Sequence, residues 1–459
     1  MMRMSEAAVA LEGELIGPDE LFSAVSKDTR DLSPGSLYVA LEGERYNGHD
    51  FVEQAAAAGA AGAVVSQRQT VALPQICVTD TRLALGQLAA HWRDRFQGKL
   101  VGITGSNGKT TVKEMTRCIL DQAAGADHVL STAGNLNNDI GMPMTLLNLR
   151  AQHEYAVIEM GANHPGEIDY MTHIAQPHVA VITNAGPAHL EGFGSIDKVA
   201  SSKAEIYAGI TPGGTAVINA DDVYADYWKG ICASLDSGLR VLTFSMQDQT
   251  ADVFGAVIGA GAQTELGITT PQGHRAVSLA VPGVHNMMNA LAASALTMAL
   301  GIAYDDIVAG LNRFGGVSGR LATAHTASGA RIINDTYNAN PQSLKAAMNV
   351  LAVDGADSWL VLGDMAELGD EKEQAHRIAG EQARDLGIKH LLATGDLARF
   401  AVEAFGEGAH FFADRQQLID ALVRGITPDS VILVKGSRSM AMEQVVNALT
   451  GGRGEQGGS

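Results

Sequence analysis

The sequence predicts an α/β protein of three domains, and three observations carry that prediction. Short apolar runs of strand length alternate with amphipathic helical stretches along almost the whole chain. Glycine is abundant, at 52 of 459 residues, as many tight strand-to-helix turns require. A chain of 459 residues is also too long for one hydrophobic core, and the usual domain size puts the count near three.

The first strand is 36–41, Ser-Leu-Tyr-Val-Ala-Leu. An Ala-rich helix at 51–61 and a second strand at 63–66 follow, giving a small α/β domain over residues 1–97 that exits through Gln97, Gly98 and Lys99. Strand-length runs at 156–158, 179–183 and 216–219 then alternate with helical segments. That is the pattern of a mostly parallel sheet covered on both faces, in a central domain over 98–316. A helical stretch beginning near Met287 ends at 315–319, Gly-Gly-Val-Ser-Gly, which sets the next boundary. Strands at 331–334, 359–362, 390–393 and 430–434, separated by helices, predict a Rossmann-like third domain over 317–450. The Gly-rich tail 451–459 has nothing to bury and is expected to be disordered. The sequence contains no internal repeat of convincing period.

The most informative stretch is 100–111, Leu-Val-Gly-Ile-Thr-Gly-Ser-Asn-Gly-Lys-Thr-Thr, where an apolar run feeds a glycine-flanked Gly-Lys-Thr. Gly105 and Gly108 free the backbone to aim successive N–H groups at phosphate oxygens. Lys109 is placed to reach β/γ-phosphates, and the Thr110 hydroxyl to ligate Mg²⁺. Val112, Met115 and Ile119 recur at helical spacing, so the positive end of a helix lies beneath the anion. The position five before Gly108 is Ile103, which makes this a short Gly-x-x-Gly-Lys-Thr variant of the P-loop. An ordinary strand-to-helix turn is the plain alternative; the surrounding strand and helix favour nucleotide binding.

A net charge of −19 argues against a nucleic-acid partner, because a phosphate backbone is repelled unless basic residues gather in a patch, and none gathers here. Cys77, Cys118 and Cys232 are far apart, odd in number and without metal-ligand spacing. They read as reduced, mostly buried thiols of a cytoplasmic protein. Glu6, Glu12 and Glu14 break up the first apolar stretches, unlike a signal or transit peptide, and no apolar run reaches membrane-spanning length.

Three more residues invite a chemical reading, though each alone has a plain structural one. Glu159 ends the strand 156–158 beside the cradle and suits Mg²⁺, or is a charge solvated at a strand end. His189, in Gly-Pro-Ala-His-Leu-Glu-Gly, is otherwise a satisfied loop histidine, and Lys203, among Ser201, Ser202 and Ala204, a solvated helical lysine. Together with the cradle at 105–111 and the segment 133–141, Ala-Gly-Asn-Leu-Asn-Asn-Asp-Ile-Gly, their number, order and spacing resemble the Mur ligases. Those are ATP-dependent, amide-forming enzymes of peptidoglycan precursor assembly, and the resemblance spans essentially the whole chain. It implies a UDP-binding first domain, an ATP-binding central domain and a Rossmann-like third. It implies a nucleotide site of Gly105, Ser106, Asn107, Gly108, Lys109, Thr110 and Thr111, with Asn286 on the adenine side, Arg320 on phosphate and Asp335 on ribose. Ser26, Thr29, Arg30, Asn47, Gly48 and His49 are similar to the family's uridine-diphosphate contacts, with Asn47 where Asp is commoner. Asn135, Asn137 and Asn138 are implied at the substrate.

Segments 334–341, 362–369 and 435–440 resemble the branch that adds D-alanyl-D-alanine to UDP-N-acetylmuramoyl-tripeptide. They imply substrate contacts at Asn338, Asn340, Asp364, Lys435, Ser437 and Arg438. The Asp-Asn-Pro-Arg signature of the diaminopimelate-adding branch is absent. The implied route activates the tripeptide carboxylate as an acyl phosphate, with Lys109, Glu159, His189 and Lys203 as the catalytic set. The implied cofactors are ATP and two Mg²⁺, one on Thr110 and Glu159 and the other near His189 and Lys203. A cationic lysine repels a metal, so the resemblance implies a CO₂-derived carbamate on Lys203. The expected protein is a cytoplasmic monomer with no membrane insertion. The alternatives are another Mur-type or folylpolyglutamate-type ligase, or a P-loop GTPase or transport ATPase, whose Asn-Lys-x-Asp and Leu-Ser-Gly-Gly-Gln motifs are missing. A non-catalytic nucleotide-binding module leaves Glu159, His189 and Lys203 unexplained. The sequence alone reveals no general base.

Overall fold

In the computed structural model, which describes residues 1–43, 45–187, 190–235, 237–260, 264–353 and 357–452, the apolar runs assemble into three sheets and a two-stranded ribbon. The first sheet has five strands in the order Glu14–Ile16, Gln75–Cys77, Gly62–Val65, Ser36–Val39 and Ala24–Ser26, with only the first pair antiparallel. The helix Thr81–Arg93 carries the chain out of this lobe, and Asp80 caps it by accepting from the N–H groups of Arg82 and Leu83. Its last residue, Arg93, is buried and donates to the carbonyls of Ala175 and Gln176, where the helix Glu167–Ala175 of the next lobe ends. A cation there satisfies carbonyls that a helix terminus leaves unpaired. One apolar core accordingly runs from Met4 and Leu37 through Leu85 to Ile168, joining the two lobes.

The central sheet has nine strands, in the order Gly273–Leu279, Thr264–Thr270, Val253–Ala260, Arg240–Ser245, Thr215–Asn219, Val179–Ile182, Lys99–Thr104, Tyr155–Glu159 and Val129–Ser131. Seven of these, from Val253–Ala260 onward, are parallel, and the first two return antiparallel at one edge. Its middle strands are buried on both faces, and their side chains alternate between two cores. Ala156 and Ile158 join the core shared with the first lobe, whereas Val157 packs in the core of Val112, Met115 and Ile119. The sequence reading placed no strand between 220 and 286. Of the strands there, Val253–Ala260 is interrupted by Gly255 and Gly259, and Thr264–Thr270 carries Gly267 among polar residues, which blurs the period of two on which such a reading depends.

Gly316 (φ +98°), Gly319 (φ +72°) and Leu321 (φ +54°) turn the chain into the third lobe. Its sheet runs Ala322–His325, Arg331–Asp335, Ser430–Lys435, Asp357–Leu362, His390–Thr394 and Ala409–Phe412, parallel except for the first pair. Register places both Asp335 and Leu362 opposite Lys435, so three carboxyl ends share one side of the sheet. In open α/β sheets that side is where ligands bind.

One expectation needs adjusting. Cys232 is buried, but Cys77 and Cys118 are only half-buried; all three are free thiols. From residue 453 the tail lies outside the described residues. Among the described residues no helix is long and apolar enough to cross a membrane.

Candidate active site

The phosphate loop leaves the carboxyl end of the strand Lys99–Thr104 and enters the helix Lys109–Ala124. Gly105 (φ +144°) and Gly108 (φ +83°) have no room for a side chain. A Cβ would lie 1.9 Å from Thr183 Oγ1 at the first and 2.4 Å from Asn289 Oδ1 at the second. The end of the neighbouring strand fixes the rest of the loop. Ser106 N donates to Asn184 O (3.0 Å), Asn107 N to Asn184 Oδ1 (3.0 Å), and Thr183 Oγ1 to Asn107 O (2.6 Å). Lys109 Nζ turns into the loop and donates to Gly105 O (2.7 Å). Burial pushes its pKa down, and the Glu159 carboxylate opposes that shift.

This loop forms one wall of a cavity of about 900 Å³ between the central and third lobes. Ser106, Asn107, Gly108, Lys109 and Thr111 line it from the loop and its helix, with Asn286 and Glu159 nearby. Asn135, Asn137 and Asn138 line it from the segment after the strand Val129–Ser131. Across from them, the third lobe supplies Arg320, Asp335, Asn338, Asn340, Lys435, Ser437 and Arg438. The lobes touch directly at the loop. Arg320 Nη2 donates to Thr110 Oγ1 (2.8 Å), Asn340 Nδ2 to Asn107 Oδ1 (2.8 Å), and Asn107 Nδ2 to Gln342 Oε1 (2.9 Å).

Two buried groups in this cavity lack a hydrogen-bond partner among the described residues. Glu159 is 1% exposed; its Oε1 accepts from Asn137 Nδ2 (2.7 Å), while Oε2 has no donor. Arg320 lies over the Tyr337 ring at 4.1 Å, and its Nε–H has no acceptor. An unpaired carboxylate oxygen calls for a cation and an unpaired guanidinium N–H for an anion. On the third lobe, Lys435 is buried, pairs with Asp335 and donates to Asn338 O (2.9 Å). His285, across from that pair, is pushed down to about 4 by burial, with Asp335 pulling the other way.

Comparison with known proteins decides the family. The Mur ligase family catalytic domain matches residues 22–93, the Mur ligase middle domain 103–297, and the Mur ligase glutamate ligase domain 319–438. The chain is 46% identical to the UDP-N-acetylmuramoyl-tripeptide--D-alanyl-D-alanine ligase of Escherichia coli K12, over 97% of this chain and 98% of that one. The chain belongs to the Mur ligase family. Its structure is similar to a crystal structure of MurF from Acinetobacter baumannii (TM-score 0.91, 38% identity, 98% and 99% of the two chains). It is also similar to MurF from Thermotoga maritima in complex with ADP (TM-score 0.83, 25% identity, 94% and 98%).

Several other described candidate residues of this Mur ligase sit outside the cavity. Lys203, on the helix Ile196–Ala204, is 2% exposed, with Nζ 5.5 Å from the centre of the Phe193 ring. Burial, aided by the nearby Lys109 charge, lowers its pKa to about 7. It is therefore not the solvated helical lysine of the plain reading. His189 lies outside the described residues. Ser26, Thr29, Arg30, Asn47, Gly48 and His49 gather at the carboxyl ends of the parallel strands Ala24–Ser26 and Ser36–Val39, apart from the large cavity. There Arg30 grips Asp28, holding that carboxyl down to about 2. Asn47 Oδ1 accepts from His49 N (3.0 Å) and faces His49 Nδ1, while His49 Nε2 accepts from Ser66 N (2.9 Å).

The structure gives Asp364 a different task from the substrate contact expected of it. Its Oδ1 accepts from Leu397 N (3.0 Å) and Ala398 N (2.7 Å) at the start of the helix Ala398–Phe405, and it does not line the cavity. A carboxylate at a helix N-terminus is a favourable cap, and this one is held there by geometry. The cavity also contains residues that the sequence reading did not assign: Arg82, Asn184, His285, Tyr337, Gln342 and Glu367. Tyr337 and Glu367 fall inside the branch-like segments, which was the available signal. Arg82 and Asn184 arrive through tertiary packing and have none.

Proposed function

We propose that this Mur ligase joins D-alanyl-D-alanine to UDP-N-acetylmuramoyl-tripeptide, forming UDP-N-acetylmuramoyl-pentapeptide, ADP and phosphate. The observation that carries this reading is the pair of unpartnered buried groups, Glu159 Oε2 and Arg320 Nε, facing one cavity beside the phosphate loop. The cavity requires a cation and an anion together, as a metal–nucleotide complex supplies. The kinship with the E. coli ligase supplies the two acceptors.

A carboxylate does not condense with an amine at neutral pH, because its oxygen is a poor leaving group. The γ-phosphoryl group of ATP passes to the tripeptide carboxylate, ADP leaves, and the dipeptide amine then displaces phosphate from the acyl phosphate. Lys109 and the loop N–H groups hold the β/γ-phosphates, and Arg320 reaches the same phosphates from the third lobe. Thr110 and Glu159 fit one Mg²⁺, and Lys203 as a carbamate, with His189, a second. Magnesium, when bound, neutralises phosphate charge. Burial leaves much of Lys203 as the neutral amine, the form that combines with CO₂. Closure of the third lobe, through Asn340 and Gln342 on Asn107, excludes water from the acyl phosphate. The enzyme works in the cytoplasm as a monomer.

The test is mass analysis of the product from purified protein, UDP-tripeptide, D-alanyl-D-alanine and ATP. The expected product is the pentapeptide, with ADP release dependent on the tripeptide. Turnover of ATP that ignores both acceptors would refute the reading.

A further inference from the structure

Lys113 is a buried cation that the reaction described above does not use. It lies on the helix Lys109–Ala124, one turn beyond Lys109, is 1% exposed and is not among the described residues that line the cavity. A charge taken out of water is costly unless it is paired, and an apolar residue of similar volume often serves a core as well or better. Val112, Met115 and Ile119 of the same helix supply packing of that kind. Packing therefore gives no reason for a lysine at this position, whereas its hydrogen bonds do. Lys113 Nζ donates to Thr132 O (2.6 Å) and pairs with Glu114 Oε1 (2.8 Å), and Glu114 Oε2 accepts from Arg117 Nε (2.8 Å).

The bond to Thr132 interrupts the central sheet. The strand Val129–Ser131 pairs in parallel with residues 155–157, and Thr132 N adds one more rung by donating to Val157 O (3.0 Å). The next rung of a regular parallel ladder runs from Glu159 N to Thr132 O. Lys113 holds that carbonyl instead, and Glu159 N donates to the buried Thr132 hydroxyl (3.0 Å). The chain leaves the sheet here and comes back to the carboxyl end of the strand Tyr155–Glu159. There Gly161 N donates to Asn137 O (2.8 Å) and Asn137 Nδ2 to Glu159 Oε1 (2.7 Å). The approach is close, since a Cβ on Gly161 would lie 2.9 Å from Asn137 Oδ1. Glu159 is thus held at its backbone by Thr132 and at one oxygen by Asn137, and Oε2 is the oxygen left over.

We propose that Lys113 is a positioning residue for the cation site, an assignment that rests on Glu159 holding the metal in the ligase reading above. By drawing the Thr132 carbonyl out of the ladder, it turns the segment 133–138 toward Glu159 and fixes the carboxylate with Oε2 free for the ion. Partners behind a metal ligand set its orientation in this way. The helix that offers Lys109 to phosphate also sets the carboxylate, so one rigid element places both the phosphates and the metal that neutralises them.

Three variants test this. Lys113→Met keeps the volume and leaves Glu114 paired with Arg117, Thr132→Val keeps the shape and removes the hydroxyl, and Glu159→Ala is the reference for a lost ligand. Mn²⁺ is titrated into each protein with ADP bound, and the free ion is counted by electron paramagnetic resonance. ADP affinity in chelator is measured by calorimetry, and folding by urea unfolding. Lys113→Met and Thr132→Val should each bind Mn²⁺ about 10- to 100-fold more weakly than wild type, the usual cost of removing a partner behind a metal ligand. Metal-free ADP affinity and cooperative unfolding should persist, and the double variant should be no weaker than the weaker single, because both changes act through Glu159. Wild-type Mn²⁺ affinity in Lys113→Met would overturn the assignment, as would an equal loss of metal-free ADP affinity, the mark of a helix loosened as a whole. If Lys113→Met does not unfold cooperatively, Thr132→Val decides, since wild-type Mn²⁺ affinity there breaks the link between Lys113 and Glu159. If Glu159→Ala binds Mn²⁺ as the wild type does, the metal assignment of the ligase reading falls first, and this one with it.

Discussion

Replacing Lys203 by Met separates the chemical role of this lysine from its effect on the fold. Burial takes its pKa from 10.5 to about 7. At pH 7 that raises the neutral amine from about one molecule in three thousand to about half, a gain of roughly a thousandfold in the form that reacts with CO₂. The same shift destabilises the fold. A lysine whose pKa is depressed on folding binds fewer protons folded than unfolded between pH 7 and 10.5, so stability rises with pH across that window. The penalty is fully present below about pH 7 and reaches at most about 5 kcal/mol, from 3.5 units at 1.36 kcal/mol each. Lys203→Met escapes it. In CO₂-free buffer with chelator, urea unfolding should find the variant more stable than wild type near pH 6, with the gap closing toward pH 10. Ligation should be lost at every pH. A gap that does not change with pH, or a variant that still ligates, would refute the reasoning.

Lys109→Ala should lower kcat by about 10² or more in the ADP-release assay, since it removes a point charge from a site that works by electrostatic stabilisation. Gln342→Ala removes the acceptor of Asn107 Nδ2, so it should raise KM for ATP; scattering should also show less compaction when nucleotide and UDP-tripeptide are added. Asp364→Ala should cost about 1–2 kcal/mol in denaturant unfolding by uncapping the helix Ala398–Phe405, while KM for the dipeptide stays at the wild-type value. A raised KM with unchanged stability would return Asp364 to the substrate.

Local signals made the strands at 36–41, 156–158, 179–183 and 331–334 legible, because each is a short apolar run between turns. The antiparallel edge at 264–279 was not, since it faces solvent on one side and its glycines interrupt the alternation. At the site, the phosphate loop could be read because a phosphate cradle dictates its own residues. Asp364 and Glu367 show where that kind of reading stops. Both are acidic, both lie in one eight-residue stretch, and only the backbone decides that one caps a helix while the other meets the cavity. Lys203 was singled out by its company, but its burial and lowered pKa come from packing that no spacing encodes.

Asn107 is held from outside its own lobe, by Asn340 and Gln342. Occupancy of the phosphate loop and the posture of the third lobe are therefore one equilibrium. Reciprocity then applies: a ligand on the Lys435–Ser437 wall that favours the closed arrangement must tighten nucleotide binding by the same factor that nucleotide tightens its own. A dissociation constant for any compound aimed at that wall has meaning only at a stated ATP or ADP concentration. A screen run without nucleotide would rank such compounds against a different protein surface from the one present in the cell.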